Sequence, residues 1–120
     1  MKPNHGLTDR TVSKIAGVLE RFPAVETAVL FGSRAKGVHK RGSDIDLALV
    51  GTGLSWRVLG KIEDALDDLL LPYGFSLIIY DNKTDAAVAA HIQRVGCTFY
   101  EREPVPADRG SEGSFKPVTR

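Results

Sequence analysis

The feature that most constrains this chain is the stretch 32–43, which joins two β-prone runs, residues 26–31 and 44–50. It is polar, basic and too short for an ordinary helical crossover, so the two runs are expected to lie as antiparallel neighbours. After the second run comes an amphipathic segment carrying Val58, Leu59, Ile62, Leu66, Leu69 and Leu70, which predicts a helix of three to four turns. Pro72 and Gly74 break it before a third β-prone run, residues 75–80. Strand, helix and strand in that order make a right-handed crossover unit, with the third run parallel to the second. The expectation is an α/β domain with a small mixed β-sheet backed by helices.

Two further helices complete it. Thr8 or Asp9 can cap the first, whose Val12, Ile15, Ala16, Leu19 and Phe22 recur at three- and four-residue spacings until Pro23. The other runs over residues 85–95, rich in Ala and carrying Val88 and Ile92, and residues 97–101 add a short last strand. From Pro104 the sequence turns to Pro, Gly, Ser and charges, which predicts a domain over 1–103 and a disordered tail over 104–120.

Composition narrows the classes of function. Sixteen Lys and Arg oppose fifteen Asp and Glu for a net charge of +1, which argues against a general nucleic-acid-binding surface. Cys97 is the only cysteine, so neither an intrachain disulfide nor a cysteine metal site can form. No apolar run approaches the ~20 residues that span a bilayer, and the first residues lack the apolar core of a secretory signal. The chain therefore reads as cytoplasmic, with no membrane partner.

The chemistry sits at the ends of the first two strands. Asp44 and Asp46, two apart on a strand, project from one face, and adjacent carboxylates repel unless a cation separates them. Mg²⁺ suits such a pair, because it takes hard oxygen ligands and keeps phosphate oxygens and waters in its shell. Gly32-Ser33 supplies the place for those phosphates: glycine admits close approach to the backbone, and the serine hydroxyl can donate to a phosphate oxygen. Arg34, Lys36, His39, Lys40 and Arg41 crowd the same connection and could neutralise a triphosphate. Each element alone has a bland reading, as a strand cap, a turn or a solvated loop. Gly-Ser followed after ten residues by Asp-x-Asp arises by chance in roughly one chain of this length in several hundred.

The runs 30–37, Leu-Phe-Gly-Ser-Arg-Ala-Lys-Gly, and 42–48, Gly-Ser-Asp-Ile-Asp-Leu-Ala, resemble the signature of the MNT-type minimal nucleotidyltransferases of the polymerase-beta-like superfamily. The likeness continues through Leu71-Pro72-Tyr73-Gly74-Phe75 and residues 91–96, covering roughly residues 7–101. It implies a polymerase-beta-like fold, phosphate binding by Gly32, Ser33 and Ser43, with Arg34 or Lys36 assisting with charge. It also implies two Mg²⁺ ions on Asp44 and Asp46, and transfer of a nucleoside monophosphate, AMP above all, from ATP or another NTP to a hydroxyl. Many such proteins resemble antitoxins paired with a HEPN-domain toxin, some adding AMP to a tyrosine of that partner. A homo-oligomer is left open.

One position departs from the pattern. The family carries a third carboxylate early on the third strand, just after a Tyr-x-apolar stretch, and Ser76 stands there instead. A hydroxyl is a poor Mg²⁺ ligand and a weak base. Asp81 lies about 16 Å further along a regular strand and on its opposite face, and Asp85 lies further still, so neither replaces it. Three readings follow: an active AMP-transferring antitoxin, a catalytically weakened nucleotide-binding antitoxin that neutralises its toxin by covering it, and a transferase for a small hydroxylated acceptor. Trp56 is expected to be a packing or interface aromatic before the second long helix, Tyr73 and Tyr80 core-edge residues, and His91 a residue on an exposed or partner-facing helix surface.

Overall fold

A computed structural model describes residues 5–102, with the element order α1 (Asp9–Glu20), β1 (Thr27–Phe31), α2 (Gly32–Lys36), β2 (Ile45–Val50), α3 (Trp56–Asp67), β3 (Phe75–Ile79), α4 (Ala86–Val95) and β4 (Cys97–Glu101). The predicted tail over 104–120 lies outside the described residues. The strands form one sheet in the order β3-β2-β1-β4. As the short connection requires, β1 and β2 are antiparallel, with Thr27 opposite Val50 and Phe31 opposite Asp46. β3 runs parallel to β2, and β4 adds antiparallel to the free edge of β1, with a bulge between Ala28 and Val29.

Alternation along the strands divides the sheet into two faces. Ala28, Leu30, Ile45, Leu47, Leu49 and Leu77 are buried with Ile15, Val18 and Leu19 of α1 and Ile62 and Leu66 of α3, forming the main core. The other face carries Phe31, Asp46, Ala48 and Ser76, and α4 lies against β1 and α2 on that side, burying Ile92. The amphipathic helices thus leave the charged end of the second face open.

Side-chain caps start the three longer helices. Thr8 accepts a hydrogen bond from the Thr11 amide at 3.1 Å, and Ser55 accepts from Val58 at 3.2 Å. Asp85, expected as the first residue of its helix, caps it instead, accepting from Ala87 at 3.1 Å. Such caps each contribute about 1 kcal/mol.

Three expectations need correction. The helix predicted to run through Leu69 and Leu70 ends at Asp67, because the residue before Pro72 is driven out of helical geometry and the chain must leave earlier. Leu70 takes a left-handed conformation (φ 56°) and is 88% exposed, so it is no part of the core face. Phe22 lies past the end of α1, which stops at Glu20 ahead of Pro23 for the same reason. Trp56 opens α3 rather than preceding it, and at 78% exposure it packs on no core, with only Arg57 over its ring.

Arg102 fastens the end of the described chain. Its Nε donates to Val25 O at 3.0 Å and its Nη2 to the carbonyls of Glu20 and Phe22 at 3.1 and 3.0 Å. These carbonyls lie where α1 ends and the chain turns into β1, so one guanidinium satisfies acceptors that the broken helix leaves open. Arg102→Ala is expected to lower stability by about 2 kcal/mol, the scale of hydrogen bonds made by a charged donor. A shift of the urea midpoint without a change in slope would register it; an unshifted midpoint would mean that water serves those carbonyls equally well.

Candidate active site

β1 and β2 meet at one end of the sheet, where the last residue of β1, Phe31, pairs with Asp46. There the chain leaves β1 directly into the short helix α2, whose first residue, Gly32, sits at φ 74°. Any Cβ at Gly32 would collide with the Asp46 carboxylate, so glycine is required both by the backbone angle and by the approach of that side chain. Gly74, one residue ahead of β3, stands in the same relation to the other carboxylate: a Cβ there would lie 2.7 Å from Asp44 Oδ1. Each aspartate is thus backed by a glycine, one from each neighbouring connection. The role of Gly32 was legible from Gly-Ser; that of Gly74 was not, because only the pairing of β3 with β2, with Ile45 N donating to Gly74 O at 2.9 Å, brings it beside Asp44.

The two carboxylates differ in environment. Asp44 is exposed in the loop before β2, whereas Asp46 is half-buried within the strand. Burial first, and the neighbouring charge of Asp44 second, raise the pKa of Asp46 above its ordinary value, against weaker opposing influences of His91 and Arg34. A carboxylate pair in this state favours a cation that neutralises both. Among the described residues there is no group of three or more His, Cys, Asp or Glu able to hold a metal. The pair alone offers hard oxygen ligands, which fits Mg²⁺ only when the remaining positions are filled by water and phosphate oxygens.

The direction of that shift has a measurable consequence. The folded protein penalises the ionised form of Asp46, so the penalty is present at neutral pH. As pH falls through the raised folded value the penalty is relieved, and below the ordinary value of 3.8 it is gone. Asp46→Asn is therefore expected to raise the thermal midpoint at pH 7 in a chelator, with an advantage that shrinks as pH drops towards 4. Equal midpoints at pH 7, or an advantage that grows on acidification, would contradict a raised pKa.

Ser76 lies directly beside Asp46, as its register partner on the adjacent parallel strand, and is exposed. Asp81 is far from this end: it builds the turn after β3, accepting from the Lys83 amide at 2.8 Å. Asp85 is committed to capping α4.

The basic residues separate. Lys36 is exposed at the end of α2, but Arg34 is only 2% exposed. Its Nε donates to Ser43 O at 3.0 Å and its Nη1 to His5 O at 2.7 Å, and its guanidinium lies 4.8 Å from the centre of the Tyr73 ring. Arg34 therefore braces the connection between α2 and β2 from inside. Ser43 belongs to the same brace, its hydroxyl accepting from the Lys40 amide at 3.0 Å. Tyr73 is half-buried against the core, and Tyr80 accepts a hydrogen bond from Gln93 of α4.

His91 is not where the sequence suggests. It is half-buried on α4, its Nε2 accepts from the Gly32 amide at 3.2 Å, and its ring meets Phe31 edge-on at 6.1 Å. Helical periodicity could not reveal this, because it depends on which sheet face α4 crosses.

Among the described residues no helix is long and apolar enough to cross a membrane. Comparison with curated proteins finds no match. Among solved structures, the fold is similar to a chain of a toxin–antitoxin complex crystallised with AMP-PNP, at 21% identity and a TM-score of 0.64, covering 77% of this chain and 74% of that one. It is similar also to a chain in the complex of a tri-AMPylated Shewanella oneidensis HEPN toxin with MNT antitoxin, at 17% identity and a TM-score of 0.61, covering 80% and 74%. A chain of the MntA–HepT toxin–antitoxin structure resembles it at 18% identity and a TM-score of 0.60, covering 79% and 74%. The sequence profile described as polymerase beta nucleotidyltransferase matches residues 13–105. With the mixed sheet, the glycine turn and the aspartate pair in place, the chain belongs to the polymerase beta nucleotidyltransferase family.

Proposed function

We propose that this chain is the antitoxin of a HEPN-type toxin, binds ATP with Mg²⁺, and transfers AMP to a hydroxyl of that partner. The observation that carries the reading is the convergence of Gly32 on the Asp46 carboxylate at the sheet end where Asp44 also stands. Gly32 and Ser33 would seat the phosphates, and Asp44 and Asp46 would hold the metal, two ions as in the resembling family. Ser43 and Arg34 would keep the basic connection in shape, and Lys36 would add charge from outside. When bound, Mg²⁺ neutralises charge on the phosphates and orients them.

The reaction balances simply. The acceptor oxygen attacks the α-phosphorus, the bond to the bridging oxygen breaks, and pyrophosphate leaves. The hydroxyl proton passes to water, since no carboxylate stands at Ser76 to take it. The toxin–antitoxin neighbours, one holding AMP-PNP and another an AMPylated toxin, support the choice of nucleotide and partner.

Ser76 favours a second reading, in which the chain binds its nucleotide and its toxin but turns over slowly, neutralising by coverage alone. Incubation with α-labelled ATP, Mg²⁺ and a HEPN-type protein encoded beside it separates the two. Label on the partner is expected for transfer. Tight binding with no label would leave coverage as the mechanism, and no binding at all would remove both.

A further inference from the structure

Glycine at position 32 solves one problem and creates another. Its left-handed φ of 74° and the Asp46 carboxylate close by both exclude a side chain there. The same lack of a Cβ gives the residue more backbone freedom than any other type would have. The helix it opens, α2, is five residues long, and the N-cap of that helix, Phe31, makes no side-chain capping hydrogen bond. So short a helix does not hold itself, and its first amides need acceptors from elsewhere. By its local chemistry alone, the turn at Gly32 and Ser33 is soft.

His91 supplies an acceptor from 59 residues away, its Nε2 taking the Gly32 amide at 3.2 Å. A ring nitrogen that accepts carries no proton, so His91 acts here through a lone pair rather than a charge. Three consecutive residues of α4 keep that nitrogen in reach. His91 meets the Phe31 ring edge-on, Ile92 is buried, and Gln93 donates to Tyr80 Oη at 3.2 Å. The helix thus grips the first peptide of the turn from a distant part of the chain.

We propose that His91 is a positioning residue. By accepting the Gly32 amide it fixes the peptide between Phe31 and Gly32, and with it the seat that takes the triphosphate. This role rests on the transferase reading, which places the phosphates at Gly32 and Ser33. His91 touches no reacting atom and works through Gly32.

The test uses the full chain, with Mg²⁺-ATP binding read by calorimetry and hydrogen exchange of the Gly32 amide read without nucleotide. His91→Phe keeps an aromatic ring for Phe31 but has no acceptor. His91→Gln carries an oxygen at about the reach of Nε2, whereas His91→Asn carries one only at the reach of Nδ1. The Phe and Asn variants should raise the Kd for Mg²⁺-ATP about tenfold and speed Gly32 exchange similarly, the scale of one lost hydrogen bond at a part-buried donor. His91→Gln should bring both back to within about threefold of the parent, and Gln93→Ala, on the same helix, should leave both within about twofold. Where transfer is measured, the loss should fall on KM for ATP and not on kcat. A His91→Phe variant that binds like the parent would reduce the residue to packing. A His91→Gln variant no better than His91→Phe, or equal weakening by Gln93→Ala, would also overturn the proposal. Exchange that follows the acceptor while Kd does not would leave the bond purely structural and overturn the role as well. If the parent binds no Mg²⁺-ATP, the transferase reading falls and this role falls with it; if the parent binds and the variants fail to order as stated, positioning alone is lost.

Discussion

Asp44→Ala is expected to lower Mg²⁺-dependent AMP transfer by at least ~100-fold while leaving the thermal midpoint within a few degrees of the parent. The asymmetry of that result comes from where Asp44 sits. It is exposed in the loop before β2, so its removal opens no cavity and breaks no ladder hydrogen bond. Yet among the described residues Asp44 and Asp46 are the carboxylates at this end of the sheet, and each metal held there would lose half of that pair. The substitution also removes the second cause of the raised Asp46 pKa, so Asp46 should titrate closer to its ordinary value. Label transfer, ATP titration with and without Mg²⁺, and a thermal melt together read all three effects. Transfer that survives unchanged would mean that the aspartate pair is not the metal site.

Ser76→Asp should act in the opposite sense, raising transfer by about 10- to 100-fold, within the range of a positioned general base. The argument is one of register. Ser76 pairs with Asp46 across parallel strands, and neighbouring strands stand about 4.8 Å apart with paired residues on the same face. A carboxylate at 76 would therefore join Asp44 and Asp46, able to ligate and to take the acceptor's proton. The position is exposed on an edge strand, so the extra oxygens meet no packed neighbour. In a chelator three carboxylates should repel one another and lower the midpoint, and Mg²⁺ should restore it by more than in the parent. A variant that gains neither transfer nor a larger Mg²⁺-dependent shift would show that Ser76 does not occupy the third-ligand position. A gain would also explain how coverage and catalysis can be separated within one fold.

Much of the site was readable in linear order because its parts are local. Gly32-Ser33 closes one strand and Asp44-x-Asp46 opens the next, and a hairpin-like pairing of β1 and β2 is enough to bring them together. Ser76 was readable for a similar reason: a single crossover through α3 sets β3 in parallel register with β2. The sequence marks Arg34 as a charge near phosphate, but its burial is not legible there, since it depends on contacts with His5 and Tyr73, both distant in sequence. The nearness of Gly74 and His91 to the site is illegible in the sequence for the same kind of reason.

By itself, then, the sequence determined the antiparallel pairing of the first two strands, the parallel third strand and the residue types that meet at their ends. Short connections leave the chain few ways to pair, and alternation assigns each side chain to a face. The tertiary structure alone decided that β4 closes on β1, that α4 brings His91 to the Gly32 amide, and that Arg34 is buried between the His5 carbonyl and the Tyr73 ring. Those outcomes turn on which helix covers which face and which distant carbonyls accept a guanidinium. They are set by the packing of segments far apart in sequence, which no local period or spacing encodes.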